Sequence, residues 1–171
     1  LKELCSLAHR LKPQWIVATD ETLANGYSWS KLPEGTHLWR GEDAIKQLVA
    51  CPEVDIVVAA IVGSAGLKGT WAALEAGKIV ALANKETLVM AGPLVMKLAR
   101  DRHATLLPVD SEHSAVFQAL GAGRREQLKR IILTASGGPF RKHSRAQLEK
   151  VTVEDALAHP TWDMGPKIPD D

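Results

Sequence analysis

The strongest constraint on the fold is an apolar run, rich in β-branched residues, that ends at a glycine. The run occupies residues 54–62 and reads VDIVVAAIV, with Gly63 directly after it. A nearly continuous apolar stretch of this kind is typical of a parallel strand that is covered on both faces. Because parallel strands are joined by crossover connections that are usually helices, the run points to an α/β fold.

The rest of the chain repeats strand and helix patterns at the spacing that such a fold needs. Further strands are predicted at residues 15–18, 79–83, 104–109 and 131–134. Helices are predicted at residues 1–11, 41–50, 67–76, 86–100, 112–120 and 152–158, with Thr152 as a cap and a break at Gly92 and Pro93 left open. This alternation is typical of an α/β protein with a mainly parallel sheet.

Composition excludes several classes of function. The 171 residues fit one domain, or one domain and part of a second. A net charge of +1 gives no bulk attraction to nucleic acid or to an anionic membrane. No apolar run approaches the ~18 residues of a transmembrane helix. Cys5 and Cys51 show no metal-like spacing, so we expect a reducing, cytoplasm-like compartment and neither nucleic acid nor membrane as partner.

Polar and small residues follow the first strands of the predicted sheet, where ligands collect in open parallel sheets. Gly63 opens a segment that could bring backbone N–H groups to an anion, although taken alone it is more often a tight strand-to-helix turn that needs small residues. Asn84, Lys85 and Glu86 follow the next strand and could hold a polar ligand, with Lys85 facing a carbonyl or phosphate. The alternative is a helix cap formed by Asn84 and Glu86, which leaves Lys85 badly placed at a positive helix end.

Two later strand ends carry carboxylates and a glycine pair. Asp110 and Glu112 offer the hard oxygen ligands that Mg²⁺ and Mn²⁺ prefer, and helix capping is again the alternative. Two carboxylates are too few for a complete site, so a third must come from elsewhere. Ser136 precedes two glycines that would form a backbone nest for a phosphate, or a plain turn.

The last segment of interest follows the final predicted helix. His159 on its own is more often a surface residue than a catalytic one. Trp162 and Met164 lie between Pro160 and Gly165, and large apolar side chains on such a loop can close over a bound ligand. Since four successive strand ends all carry small or polar residues, a ligand site along one sheet edge is the favoured interpretation.

Taken together, five segments resemble the 1-deoxy-D-xylulose 5-phosphate reductoisomerase family in order and in spacing. The resemblance extends from about residue 41 to residue 168. Its segments are AAIVG at residues 59–63, LANKE at 82–86, LPVDSEH at 107–113, SGGPF at 136–140 and HPTWDMG at 159–165.

The resemblance implies a fold and an activity. Residues 1–103 would be a Rossmann-like NADPH-binding domain with a parallel sheet, and residues 104–171 the start of an α+β catalytic domain. The family rearranges 1-deoxy-D-xylulose 5-phosphate and then reduces it with NADPH to 2-C-methyl-D-erythritol 4-phosphate, in the non-mevalonate route to isoprenoids. It uses Mg²⁺, Mn²⁺ or Co²⁺ and forms a homodimer. Bacterial cytoplasm is the expected location, or a plastid in a plant or alga.

The resemblance also implies roles for individual residues. The residues expected to bind metal are Asp110 and Glu112. Catalytic roles would fall to Lys85, Asp110, Glu112 and His159. Substrate contacts are implied for Lys85, Ser111, Glu112, Ser136 and His159, together with Trp162 and Met164 on a lid. The NADPH contacts implied are Gly63, Asn84, Glu86 and Gly165.

Two parts of the family pattern are not found in this sequence. The glycine-rich dinucleotide loop would precede Leu1, and the third metal carboxylate would follow Ile168, so we expect the chain to be an internal fragment that is inactive alone. Two alternatives stay open at this point. One is another NAD(P)-dependent oxidoreductase, such as a homoserine-dehydrogenase-like protein, which also has an Asn-Lys pair after a strand. The other is a non-catalytic module.

Overall fold

The computed structural model describes residues 1–133 and 138–158. Strands and helices alternate up to residue 121, as the sequence predicts, and short 3-10 turns lie at Gly63–Ala65 and Arg125–Gln127. The strands are β1 (Trp15–Ala18), β2 (His37–Arg40), β3 (Ile56–Ala59), β4 (Ile79–Leu82) and β5 (Thr105–Pro108). The helices are α1 (Lys2–Leu11), α2 (Glu21–Asn25), α3 (Glu42–Ala50), α4 (Gly66–Glu75), α5 (Glu86–Asp101), α6 (Ser111–Gly121), α7 (Arg145–Leu148) and α8 (Val153–Leu157).

Within the described residues the strands form two parallel sheets, which confirms the α/β, Rossmann-like class. β1 pairs with β2, and β4 lies between β3 and β5. Leu82 at the end of β4 is opposite Ala59 of β3 and Pro108 of β5. The carboxyl ends of these three strands therefore lie level at one edge of the sheet.

The main hydrophobic core lies between the three-stranded sheet and helices α4 and α5. Leu74 of α4, Val80 of β4 and Val95 of α5 are fully buried there. Complete burial of an apolar side chain of this size contributes about 1.5–3 kcal/mol, so this packing fixes the strands that carry the candidate site. Helix α3 packs on α4 and also contacts β1 and β2.

The strand predicted at residues 54–62 is shorter and less covered than expected. β3 spans only Ile56–Ala59, because the chain turns away from β4 before the 3-10 turn that leads into α4. Val57 and Ala59 face the core, while Ile56 and Val58 are 59% and 66% exposed. β3 is an edge strand with one covered face within the described residues, so the prediction of cover on both faces is wrong.

The prediction of a strand at residues 131–134 is wrong for residues 131–133, which the structure describes. Ile131, Ile132 and Leu133 have no strand structure, and each is more than half exposed. A strand forms only where its backbone N–H and C=O groups find a partner. No residue of the described ranges pairs with this segment, so its β-branched composition alone does not make it a strand. Thr134 lies outside the described residues.

Strand β2 was missed because its sequence has no strand-like pattern. It reads HLWR, two apolar residues between two polar ones, which is neither an alternation nor an apolar run. It forms through tertiary pairing, with His37 opposite Trp15 and Arg40 opposite Ala18.

The ends and breaks of two helices follow the predicted residues. Helix α5 is kinked at Ala91, whose φ of −138° is not helical, just before Gly92 and Pro93. Proline has no N–H to donate and crowds the preceding turn, which explains the break. Thr152 caps α8, and its hydrogen bonds to Asp155 lower the pKa of that carboxyl. Among residues 1–133 and 138–158, no helix has the length and apolar character needed to cross a bilayer.

Candidate active site

Backbone pairing continues beyond the strands and brings three strand ends together. The N–H groups of Ala83 and Asn84 both donate to the carbonyl oxygen of Ala59, each at 3.0 Å. The N–H of Val109 donates to the carbonyl oxygen of Leu82 at 2.9 Å. The residues that follow β3, β4 and β5 therefore border one corner, as predicted for ligand-binding residues in a parallel sheet.

The Asn84 side chain joins two of these strand ends. Its Nδ2 donates to the carbonyl oxygens of Ile61 at 2.6 Å and Gly63 at 3.0 Å. Its Oδ1 accepts from the N–H of Thr87 at 2.9 Å and from Thr87 Oγ1 at 2.6 Å. Asn84 is only 2% exposed. It therefore bonds the first turn of α5, as the capping alternative predicts, and also holds the turn that follows β3.

Two glycines allow this turn to pack against Asn84. Gly63 has a φ of +72°, a region that side chains rarely adopt. A Cβ on Gly66 would lie 2.5 Å from the carbonyl oxygen of Ile61 and 3.1 Å from Cγ of Asn84. The sequence draws attention to Gly63 as a strand-end glycine, but the contact at Gly66 appears only in three dimensions.

Lys85 and Asp110 form a buried ion pair across the corner. Lys85 Nζ lies 3.4 Å from Asp110 Oδ2, and the two side chains are 9% and 14% exposed. The sequence places these residues after different strands, and the parallel register brings them together. The capping alternative left the positive charge of Lys85 badly placed at a helix N-terminus. The pair with Asp110, at the end of β5, gives this charge a partner.

The other oxygen of Asp110 is buried and accepts no hydrogen bond. His113 Nδ1 lies 3.2 Å from this Oδ1, but outside hydrogen-bonding geometry. An unsatisfied buried acceptor costs about 1–3 kcal/mol, and more when it is charged. A carboxylate oxygen left in this state fits a divalent cation, because hard oxygen ligands are what Mg²⁺ and Mn²⁺ prefer. Sequence reasoning missed His113 as a neighbour of Asp110, although their i, i+3 spacing around a helix start was a usable signal.

Glu112 and Ser111 lie in the first turn of α6, next to Asp110. Glu112 is half-buried and Ser111 is exposed. Within the described part of the chain, no group of three His, Cys, Asp or Glu side chains could hold a metal ion. Asp110 and Glu112 can therefore supply at most part of a ligand set, in keeping with the expectation that a third carboxylate comes from elsewhere.

Glu86 begins α5 and is 4% exposed, at the helix end where the backbone dipole favours a negative charge. The remaining predicted site residues lie outside the described residues, and their roles stay predictions. They are Ser136, His159, Trp162, Met164 and Gly165.

Comparison with known proteins gives a consistent result over most of the chain. The family model described as 1-deoxy-D-xylulose 5-phosphate reductoisomerase matches residues 1–92. The model for the C-terminal domain of the same enzyme matches residues 106–171. The reductoisomerase of Halalkalibacterium halodurans is 54% identical over 164 residues, which cover 94% of this chain and 42% of the relative. That of Heliobacterium modesticaldum is 62% identical over 128 residues, 75% of this chain and 32% of the relative.

Solved structures of the same enzyme are also similar. The reductoisomerase from Zymomonas mobilis in complex with NADPH has a TM-score of 0.76 and 44% identity, over 91% of this chain and 41% of that one. A reductoisomerase in complex with NADPH, fosmidomycin and magnesium has a TM-score of 0.69 and 39% identity, over 96% of this chain and 43% of that one. The chain thus spans less than half the length of these relatives. With a family model matched over more than half of its residues, the chain belongs to the 1-deoxy-D-xylulose 5-phosphate reductoisomerase family.

Proposed function

We propose that this chain is an internal part of an enzyme that converts 1-deoxy-D-xylulose 5-phosphate to 2-C-methyl-D-erythritol 4-phosphate with NADPH and a divalent metal. Residues 1–103 would belong to the NADPH-binding domain and residues 104–171 would open the catalytic domain. The observation that carries the proposal is the corner where Lys85 pairs with Asp110 while Asp110 Oδ1 is buried without a hydrogen bond.

The proposed metal role rests on the chemistry of the ligands. Asp110 and Glu112 would hold a Mg²⁺, Mn²⁺ or Co²⁺ ion together with a carboxylate from outside the described residues. When bound, the cation supplies charge stabilisation for the substrate's oxygens. A solved structure of a relative is a complex with NADPH, fosmidomycin and magnesium, which supports the same assignment here.

Lys85 would act on the substrate as a fixed cation. Asp110 Oδ2 holds its Nζ at 3.4 Å in a largely buried position, so the ammonium group is oriented before substrate arrives. A hydrogen bond from Nζ to a substrate oxygen that gains negative charge would stabilise the rearrangement. Ser111 and Glu112 would contact the same substrate, and Ser136 and His159 would complete its binding.

The cofactor would lie along the same edge of the sheet. Gly63, Asn84 and Glu86 border the corner, and Gly165 would contribute from outside the described residues. Trp162 and Met164 would close over the site and exclude water before hydride transfer to the rearranged aldehyde.

Several wider properties are part of the proposal. The enzyme would serve the non-mevalonate route to isoprenoids, act as a homodimer and, since the relatives named here are bacterial, work in the cytoplasm of a bacterium. The 171-residue chain would be inactive alone. Family membership excludes the homoserine-dehydrogenase-like alternative. A measurement of turnover distinguishes an active enzyme from a non-catalytic module.

The test uses the full reading frame that contains this chain. NADPH oxidation is followed with 1-deoxy-D-xylulose 5-phosphate and Mn²⁺, and then after addition of EDTA. We expect turnover that needs both the sugar phosphate and the metal, and none from residues 1–171 alone. A folded full-length protein that binds NADPH but shows no turnover would overturn the proposal in favour of the non-catalytic module.

A further inference from the structure

The hydrogen-bonding capacity of the Asn84 side chain is completely used by the protein itself. An asparagine amide offers two N–H donors and one oxygen with two lone pairs. Both donors bond to carbonyl oxygens, those of Ile61 and Gly63. Both acceptor positions are taken by Thr87, through its N–H and its hydroxyl. No polar atom of this buried side chain is left to bond a cofactor directly.

These bonds connect two segments that border the candidate site. On one side is the turn of residues 61–63, and on the other the start of α5, directly after Lys85. Gly66 packs closely against Ile61 and Asn84. A Cβ added at Gly66 would lie 2.5 Å from the Ile61 carbonyl oxygen and 3.1 Å from Asn84 Cγ. The Thr70 hydroxyl donates a hydrogen bond to the carbonyl oxygen of Gly66 at 2.9 Å, which further fixes the position of Gly66.

We propose that Asn84 is a positioning residue, which fixes the turn of residues 61–63 against the start of α5 and so sets the places of Gly63 and Lys85. The proposal rests on the proposed function, because it explains how NADPH binding and catalysis depend on Asn84 without a side-chain contact to the cofactor. Gly66 contributes to the same arrangement, because its lack of a side chain lets the turn of residues 61–63 pack close to Asn84.

Lys85 gives this arrangement a direct link to catalysis. It is the neighbour of Asn84 in sequence, and its Nζ reaches Asp110 across a buried gap of 3.4 Å. A shift of the backbone at residue 84 moves Lys85 relative to Asp110. Loss of the Asn84 bonds should therefore lower kcat even when NADPH is saturating, and not only weaken cofactor binding.

The first experiment compares Asn84→Asp with the unchanged full-length protein. The aspartate keeps the acceptor for Thr87 but has no N–H to give to Ile61 and Gly63. We expect amide hydrogen exchange at residues 61–66 to become about tenfold faster in the protein without cofactor. NADPH should bind about tenfold more weakly, and kcat should stay reduced at saturating NADPH.

The second experiment acts on the same turn without touching Asn84. Gly66→Ala should reproduce the faster exchange and the weaker NADPH binding, because its Cβ displaces the Ile61 carbonyl. Gly92→Ala is the matched control: it is also a buried helical glycine, and its Cβ would meet nothing closer than 4.0 Å. The double variant Asn84→Asp, Gly66→Ala should lose little more than either single variant, since both disturb one turn.

The outcomes separate this inference from the proposed function. If Asn84 contacts NADPH itself, Asn84→Asp weakens binding while hydrogen exchange at residues 61–66 is unchanged and the two variants are additive; that result overturns the inference. If the unchanged protein neither binds NADPH nor turns over substrate, the proposed function fails. In that case the exchange measurement still decides whether Asn84 fixes the turn.

Discussion

The ends of β4 and β5 lie side by side but satisfy their buried polar groups in opposite ways. After β4, the Asn84 side chain has a partner for every donor and every acceptor position. After β5, Asp110 has one oxygen near Lys85 and another that is buried without a hydrogen bond. A saturated side chain has nothing left for a ligand, whereas an unsatisfied carboxylate oxygen is available to one. The comparison separates the scaffold of the corner from its chemistry.

Free energies sharpen the difference. Removing a bonded partner in a protein interior costs about 1–3 kcal/mol for each group left unsatisfied. Asn84 should therefore matter mainly for stability and for the position of its neighbours. Asp110 has a buried oxygen without a hydrogen bond, so replacing it should affect activity in addition to the stability that its pair with Lys85 provides.

The largest effect is expected for Asp110→Asn in the full-length enzyme. Turnover with Mn²⁺ should fall about a thousandfold or more, because metal-assisted charge stabilisation is worth several kcal/mol. Its free energy of unfolding without metal should also fall, by about 3 kcal/mol, because the neutral amide no longer balances the charge of Lys85 in a largely buried pair. Steady-state kinetics and denaturant unfolding measure the two. The control Asp101→Asn, at an exposed carboxylate, should leave turnover unchanged. Equal losses of turnover in the two variants would show that the effect is not specific to Asp110.

The next largest effect is a loss of stability in Asn84→Ala. The substitution leaves the carbonyl oxygens of Ile61 and Gly63, which accept part-buried hydrogen bonds, without their donor and takes away the cap of α5. The free energy of unfolding should fall by about 3 kcal/mol. Denaturant unfolding checks this, and a change below measurement error would show that the bonds contribute nothing to folding.

A smaller loss is expected for Gly66→Ala. Crowding against the Ile61 carbonyl should lower the free energy of unfolding by about 1–3 kcal/mol, the usual cost of overpacking. Gly92→Ala should instead be neutral, or stabilise by up to about 1 kcal/mol, because alanine is the better helix former. If both glycine variants behave alike in thermal unfolding, the close approach at Gly66 is not a constraint.

The smallest effect is expected at the other end of the Asn84 network. Thr87→Val removes one hydroxyl donor and keeps the backbone bond, so stability should fall by about 1 kcal/mol. Thr87→Ser retains the hydroxyl but loses a fully buried methyl group, so its own loss of about 0.8 kcal/mol reports the contribution of packing. Thermal unfolding of the two variants side by side decides whether the hydroxyl or the size of the side chain is responsible.

The sequence predicts the ends of β4 and β5 to within one residue, but not which hydrogen-bond partners the polar side chains after them have. Helix and strand periodicity places Asn84, Lys85 and Asp110 after strands, and the parallel register then makes them neighbours. Whether Asn84 is saturated depends on the carbonyl oxygen of Ile61, which is 23 residues away along the chain. A local sequence pattern carries no information about contacts over such a separation. For this reason it left helix capping and ligand binding as equal alternatives for Asn84.

The fold was least predictable where a strand depends on its partner. Residues 131–133 are as β-branched as a core strand, yet they are exposed and unpaired among the residues described. The HLWR segment of β2 has no strand pattern, yet it pairs along its full length with β1. Tertiary pairing decides both cases, in opposite directions.

The most direct test of the contrast between Asn84 and Asp110 is a Mn²⁺ titration of the full-length protein, with free Mn²⁺ measured by electron paramagnetic resonance. Asp110→Asn should weaken Mn²⁺ binding by about a hundredfold or more, since even outer contacts of a metal site change affinity by 10–100-fold. Asn84→Ala should bind Mn²⁺ within about threefold of the unchanged protein, since its side chain supplies no ligand. Unchanged Mn²⁺ affinity in Asp110→Asn, or an equal loss in both variants, would contradict the account.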